Sequence, residues 1–248
     1  MSTSSDKKIW TWQGSFQDHI RFLIHLPFFF IGSITLPPKA VESIHLSVNS
    51  VNRCPFCTGL HCEIGRIAGL ENVSVINECA MLSSSERDEY GIFAQYGMAF
   101  GKNHGRGPEV EALFQQISSS KGTIAAKSTQ GLAFFLLWGS LSGNTLISFY
   151  HGTLNGQMRH GSNLVFEVCF AFYYTTLFAI ITVLSKILSF VPSNVPSYVS
   201  MIIGLVLPSL ASIWIVPYGI VGLVLTLTST LRMDVQYDPL GGDYELIV

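Results

Sequence analysis

From Ile187 to Leu231 the chain carries no Asp, Glu, Lys or Arg. A helix of that length on a soluble protein needs a polar stripe facing water, so this stretch must be buried in protein or in lipid. A second uncharged run, the 18 residues between Glu167 and Lys186, is rich in Phe, Tyr, Leu and Ile. It approaches the roughly 20 residues needed to cross a hydrocarbon core about 30 Å thick. The two runs are joined by FVPSNVPS (190–197), whose two prolines suit the tight loop of a helical hairpin. The pattern predicts membrane-embedded helices over 163–231. Within Tyr198–Leu231, Pro208, Pro217 and several glycines interrupt the run, so this arm is expected as one broken span, or as a span plus an interfacial segment. Glu167 reads as an interfacial residue whose carboxylate reaches the headgroup layer. A hairpin returns Arg159 and Arg232 to one side, the arrangement the positive-inside tendency favours for a cytosolic face.

The first part of the chain reads as helices too. After a tail over 1–15, FQDHIRFLIHLPFFFI (16–31) has helical apolar spacing up to Leu26, and Pro27 is expected to break or kink it. Residues 39–52 place Val41, Ile44, Val48 and Val51 on one face and Glu42, His45 and Asn49 on another. The next helix is predicted to start at Cys54-Pro55, since proline suits the first helical position, and to stop at Ala68 before Gly69. Residues 84–100 predict a further helix, 101–108 a loop, and PEVEALFQQIS from 108 a short helix. The uncharged segment 129–151 has Gly, Ser, Asn and Thr interleaved, which favours a buried domain helix over a bilayer span. The resulting expectation is an all-α protein: a helical domain over 16–155, the membrane helices, and a tail over 232–248 that packs on the domain or binds a partner.

A net charge of −2 without a long Lys/Arg run argues against a nucleic-acid partner. The start, MSTSSDKKIWTWQGS, has neither the apolar stretch of a secretory signal nor the Arg-rich character of a transit peptide. Five cysteines, at 54, 57, 62, 79 and 169, do not make an even disulfide framework, and their clustering suits a reducing compartment.

The chemistry concentrates in one pattern: Glu42, eleven residues, Cys54, two residues, Cys57, three residues, His61. A thiol attacks peroxides or disulfides only as the thiolate, so a working dithiol needs a lowered pKa and a route for a proton. The positive end of the helix at Cys54-Pro55 supplies part of the first. His61, one turn beyond Cys57, and Glu42 on the preceding helix can supply the second, and the second sulfur can close a disulfide. His45 fits a place in the relay and a purely structural role equally well. Zinc held by Cys54, Cys57, His61 and Cys62 is a competing reading, disfavoured because only Cys79 and His104 remain for a second ligand pair. Cys62 and Cys169 read as structural.

The Glu42, Cys54, Cys57, His61 pattern resembles the signature of the alkylhydroperoxidase D branch of the carboxymuconolactone decarboxylase superfamily. NRCPFCTGLHCEIGRIAGL is similar to that signature segment over its whole length, and EYGIFAQYGMAFG resembles the following helix. The likeness spans roughly residues 16–155. It implies an alkylhydroperoxidase D-like helical domain that assembles into trimers or multiples of them, with Cys57 attacking the peroxide, Cys54 resolving it, and His61 with Glu42 relaying the proton. Helix-dipole reasoning by itself favours Cys54 as the more acidic thiol, and the order of attack follows the family. Phe56 stands where well-known bacterial members have a histidine, and simple bacterial members have no membrane hairpin. Decarboxylation is not implied.

The sequence therefore predicts a membrane-anchored dithiol oxidoreductase that reduces a hydroperoxide and is re-reduced by a thiol donor or redox partner protein. It calls for no organic cofactor and no metal. Its domain is expected on the cytosolic side of an integral-membrane protein. The alternative is a non-catalytic redox-sensing or structural subunit of a membrane assembly.

Overall fold

A computed structural model describes residues 8–10, 12–70, 84–154, 164–193 and 195–228. Cys79, Arg159, Arg232 and the tail 232–248 lie outside the described residues, as do 1–7 and 11. The described chain is all-helical: α1 (Trp12–Thr35), α2 (Pro38–Asn52), α3 (Pro55–Ile67), α4 (Ser84–Lys102), α5 (Pro108–Lys121), α6 (Thr123–Leu154), α7 (Leu164–Leu188) and α8 (Ser197–Leu227).

Three of these helices, α6, α7 and α8, are long and apolar enough to cross a membrane. Their surroundings differ. The apolar window of α6 is 89% buried inside the protein, whereas those of α7 and α8 are 33% and 19% buried. The small polar residues of α6 explain its place. Ser140, Ser142, Asn144 and Thr145 are all buried, and Asn144 donates to the Asn52 carbonyl while Asn52 donates to Ser140. Burial of such groups is tolerable only when they are paired. By contrast, Phe172, Val183, Ile202 and Ile213 on α7 and α8 point outward. Large exposed apolar faces of this kind belong in lipid or against another protein.

The helix breaks expected at the prolines need correction. α1 runs through Pro27, and α8 runs as one helix through Pro208 and Pro217. A proline inside a helix costs about 3 kcal/mol. For α1 that cost is outweighed by packing against α6 on one side and α8 on the other. The α1–α6 crossing is close enough that a Cβ on Gly131 would lie 2.6 Å from the Phe29 backbone nitrogen. Nor do α7 and α8 lie along each other as the arms of a tight hairpin: α8 packs mainly on α1 and α7 mainly on α3. Trp214 Nε1 donates to the Tyr173 carbonyl where α7 and α8 do meet, and Arg66 of α3 donates to the Leu188 carbonyl at the end of α7.

Ile9 and Trp10, assigned to a tail from sequence, are core residues. Trp10 donates from its backbone to Thr145 and from its indole to Asp18. Asp18 also accepts from His104 and Arg21. Burial alone would raise this carboxyl, but His104, Arg21 and Trp10 hold it well below the usual range. Beside it, burial lowers His19 to about 4. Its Nδ1 faces the Ser15 carbonyl, and Nε2 meets the Trp138 indole and the Tyr174 hydroxyl. The neutral ring fits this geometry: one nitrogen donates and the other accepts.

Candidate functional site

The corner between α2 and α3 builds the site. α2 ends at Arg53, a non-glycine residue in the left-handed region with φ 55° and ψ 37°. The buried Asn49 side chain spans the corner. Its Oδ1 accepts from the Cys54 N–H, and its Nδ2 donates to the Cys54 carbonyl and to Thr58 Oγ1. Cys54 is then the N-cap of α3 and Pro55 its first residue, as the sequence predicted. The Cys57 N–H donates to Cys54 Sγ at 3.4 Å, so one sulfur occupies the positive end of α3 and meets the next half-turn. Asn49 had only a polar-face assignment from sequence, and its role as the clamp emerges from the fold.

Both thiols are free and buried. Helix α6 makes room for them with two glycines one turn apart. A Cβ on Gly139 would lie 3.7 Å from Cys57 Sγ, and one on Gly143 only 2.5 Å from Cys54 Sγ. The i, i+4 spacing of those glycines, with Ser140 and Ser142 between them, was the available sequence signal. Burial pushes the Cys57 thiol well up, and the neighbouring Cys54 sulfur pushes it further. Cys62 is half-buried and raised to about 11 by burial and by Glu42 and Glu63, while Cys169 is exposed on α7.

Glu42, His45 and His61 come together as a second buried group. His61 Nδ1 donates to Glu42 Oε2 at 2.8 Å, and His45 Nδ1 donates to Oε1 at 3.3 Å. The two rings are edge to face with centroids 4.5 Å apart. Burial would raise the Glu42 carboxyl, but His61 and His45 together bring it down to about 2. His45 is lowered by burial and by the neighbouring His61 charge, against the pull of Glu42. The carboxylate is thus ionised and His45 neutral, with each ring presenting its Nδ1–H to one carboxylate oxygen. His45 Nε2 is buried without a hydrogen-bond partner. Neither ring hydrogen-bonds to either sulfur among the described residues.

Cys57 and His61 do share one space. Both line a cavity enclosed by α3, α6, α7 and α8, with Trp138, Phe178, Ala211 and Trp214 among its largely apolar walls. Cys54 is not among the lining residues. Phe56, at the position where the resembling family has histidine, packs on Phe178 with the rings tilted and their centroids 4.8 Å apart. That side chain docks α3 onto α7.

Compared with family models, curated proteins and solved structures, the chain matches none of them. The class defined by fold and site is therefore an all-α protein with membrane-length helices and a buried CxxC beside a Glu–His–His cluster.

Proposed function

We propose that this chain is a membrane-embedded dithiol oxidoreductase that reduces a hydroperoxide at Cys57. The observation that carries the reading is that Cys57 and His61 border one cavity whose lining does not include Cys54, the N-cap of α3. Access thereby supports Cys57 as the attacking sulfur, in the order the family resemblance implies. In the cycle, the Cys57 thiol gives its proton to the His61–Glu42 pair and attacks the terminal peroxide oxygen. The O–O bond breaks, an alcohol leaves, and Cys57 becomes a sulfenic acid. The Cys54 thiol then condenses with it, releasing water and forming the disulfide, which an external thiol reductant or redox partner protein reduces. His61 would work through a water, with Glu42 orienting the ring. Apolar walls around the attacking sulfur favour an organic hydroperoxide over hydrogen peroxide. The domain faces a reducing, cytosolic side in this reading, and the active form is a homo-oligomer.

The test is peroxide consumption by the full chain in lipid nanodiscs with a dithiol reductant, comparing wild type with Cys57→Ser and Cys54→Ser. The proposal expects loss of turnover in both, and a trapped sulfenic acid at Cys57 in Cys54→Ser. Undiminished consumption by Cys57→Ser rules it out. One observation favours a second reading. The thiol of Cys57 is raised by burial and by Cys54, with no cation among the described residues lowering it, which suits slow oxidation in a redox-sensing or structural subunit. That reading expects stoichiometric disulfide formation without turnover.

A further inference from the structure

We propose that Glu42, His45 and His61 form a binding site for a divalent first-row transition-metal ion, zinc or ferrous iron, with a donor set of two imidazoles and one carboxylate. Glu42 and His45 lie one turn apart on α2, and His61 comes from α3, so two helices converge on one point. One ligand atom from each of the three side chains lies within 4.8 Å of the others. Bonds from nitrogen or oxygen to such an ion are about 2.0–2.2 Å long, which puts adjacent donor atoms around one ion roughly 3 to 3.5 Å apart. The two carboxylate–imidazole separations, 2.8 and 3.3 Å, are already close to that spacing.

The chemistry of the donors agrees with the geometry. Two neutral imidazoles and one carboxylate are the set used by non-haem ferrous and many zinc sites, and three protein ligands leave open positions for water or substrate. Here those positions would be reached from the cavity that His61 lines. The carboxylate–imidazole spacings are set by the Nδ1 atoms, so each ring would bind through Nδ1, and the Nε2 of buried His45, which has no hydrogen-bond partner, is free to take the proton that its Nδ1 gives up. The ion this site takes is not the sulfur-bound zinc weighed from sequence. Among the described residues, the group close enough to hold a metal contains neither Cys54, Cys57 nor Cys62.

The site stands apart from the peroxidase reading, although it uses the same residues. An imidazole nitrogen bound to a metal cannot accept a proton, so the loaded cluster is a metal centre and the empty cluster a relay.

Binding is measured on the full chain in detergent or nanodiscs, stripped with chelator and then titrated with Zn²⁺ and with Co²⁺ as a spectroscopic probe. The expected result is about one ion per chain, visible d–d bands for Co²⁺, and an X-ray absorption shell of nitrogen and oxygen only. Cys54→Ser/Cys57→Ser should bind like wild type, while Glu42→Gln and His45→Gln, near-isosteric variants with folding checked by circular dichroism, should lose roughly 100-fold or more in affinity. Wild type taking up no ion, a sulfur shell, or unchanged affinity in folded His45→Gln would each overturn the proposal. None of these readouts depends on peroxide turnover.

Discussion

At the scale of single residues, the site depends on a few atoms whose neighbours cannot move aside. Gly143 is one: adding a methyl group drives it into Cys54 Sγ at 2.5 Å, where the Cys57 N–H bonds the sulfur and the Asn49 clamp fixes the Cys54 backbone. Gly143→Ala should cost about 1–3 kcal/mol in denaturation of the detergent-solubilised protein. Gly139→Ala, with 3.7 Å to Cys57 Sγ, should be nearly neutral. Asn49→Ala removes partners from a buried N–H and carbonyl of Cys54, and should cost roughly 2–4 kcal/mol in the same measurement. The raised Cys57 thiol has a kinetic consequence. With little thiolate near neutrality, the rate of Cys57 alkylation by a small cavity-permeant reagent should keep climbing as pH rises from 7 to 9. A plateau below pH 7 would show a thiolate already formed and contradict this.

Among the elements, α6 and α8 illustrate how similar composition leads to different environments. Both are membrane-length and apolar, but α6 has buried Ser140 and Asn144, which find partners on α2 and near Trp10. α8 instead turns Ile202, Ile213 and Ile220 outward. A cysteine placed at Ile213 should therefore react with a lipid-soluble maleimide and resist a membrane-impermeant one. Rapid labelling by the impermeant reagent would show α8 facing water. Pro27 and Pro217 mislead a reading from sequence because a proline's local cost is visible in the chain, whereas the packing on both sides of α1 that offsets it is not. The same applies to the hairpin expected from the two prolines of 190–197: the main partners of α7 and α8 are α3 and α1, not each other.

For the molecule as a whole, buried ionisable groups in two places tie stability to pH. Glu42, at about 2, and Asp18, also lowered, contribute stability that is complete above the ordinary carboxylate range and is lost as pH falls through their folded values. His45, His104 and His19 are lowered as well, His19 to about 4. Once pH drops below the ordinary histidine value near 6.5, the unfolded chain gains protons on these rings that the folded chain refuses. Both effects have the same sign. Denaturation free energy should decline steadily from pH 7 to pH 4, and His45→Gln should remove part of the decline between about 6.5 and 5. A flat profile over that range would show these groups titrating alike in folded and unfolded states.

By itself the sequence determined the all-helical class, the apolar segments of membrane length, and the α2–α3 corner with Cys54 at its cap. These follow from local periodicity, charge depletion and one proline at a helix start, all of which act within a few residues. It also named Glu42, His45, Cys54, Cys57 and His61. The tertiary structure decided how they divide: the two sulfurs face the glycines of α6, and the carboxylate faces the two imidazoles. It also decided which of three similar apolar helices is enclosed by protein. Those outcomes depend on which helix faces which, and the atoms that meet at Gly143 and Cys54 Sγ are nearly ninety residues apart along the chain.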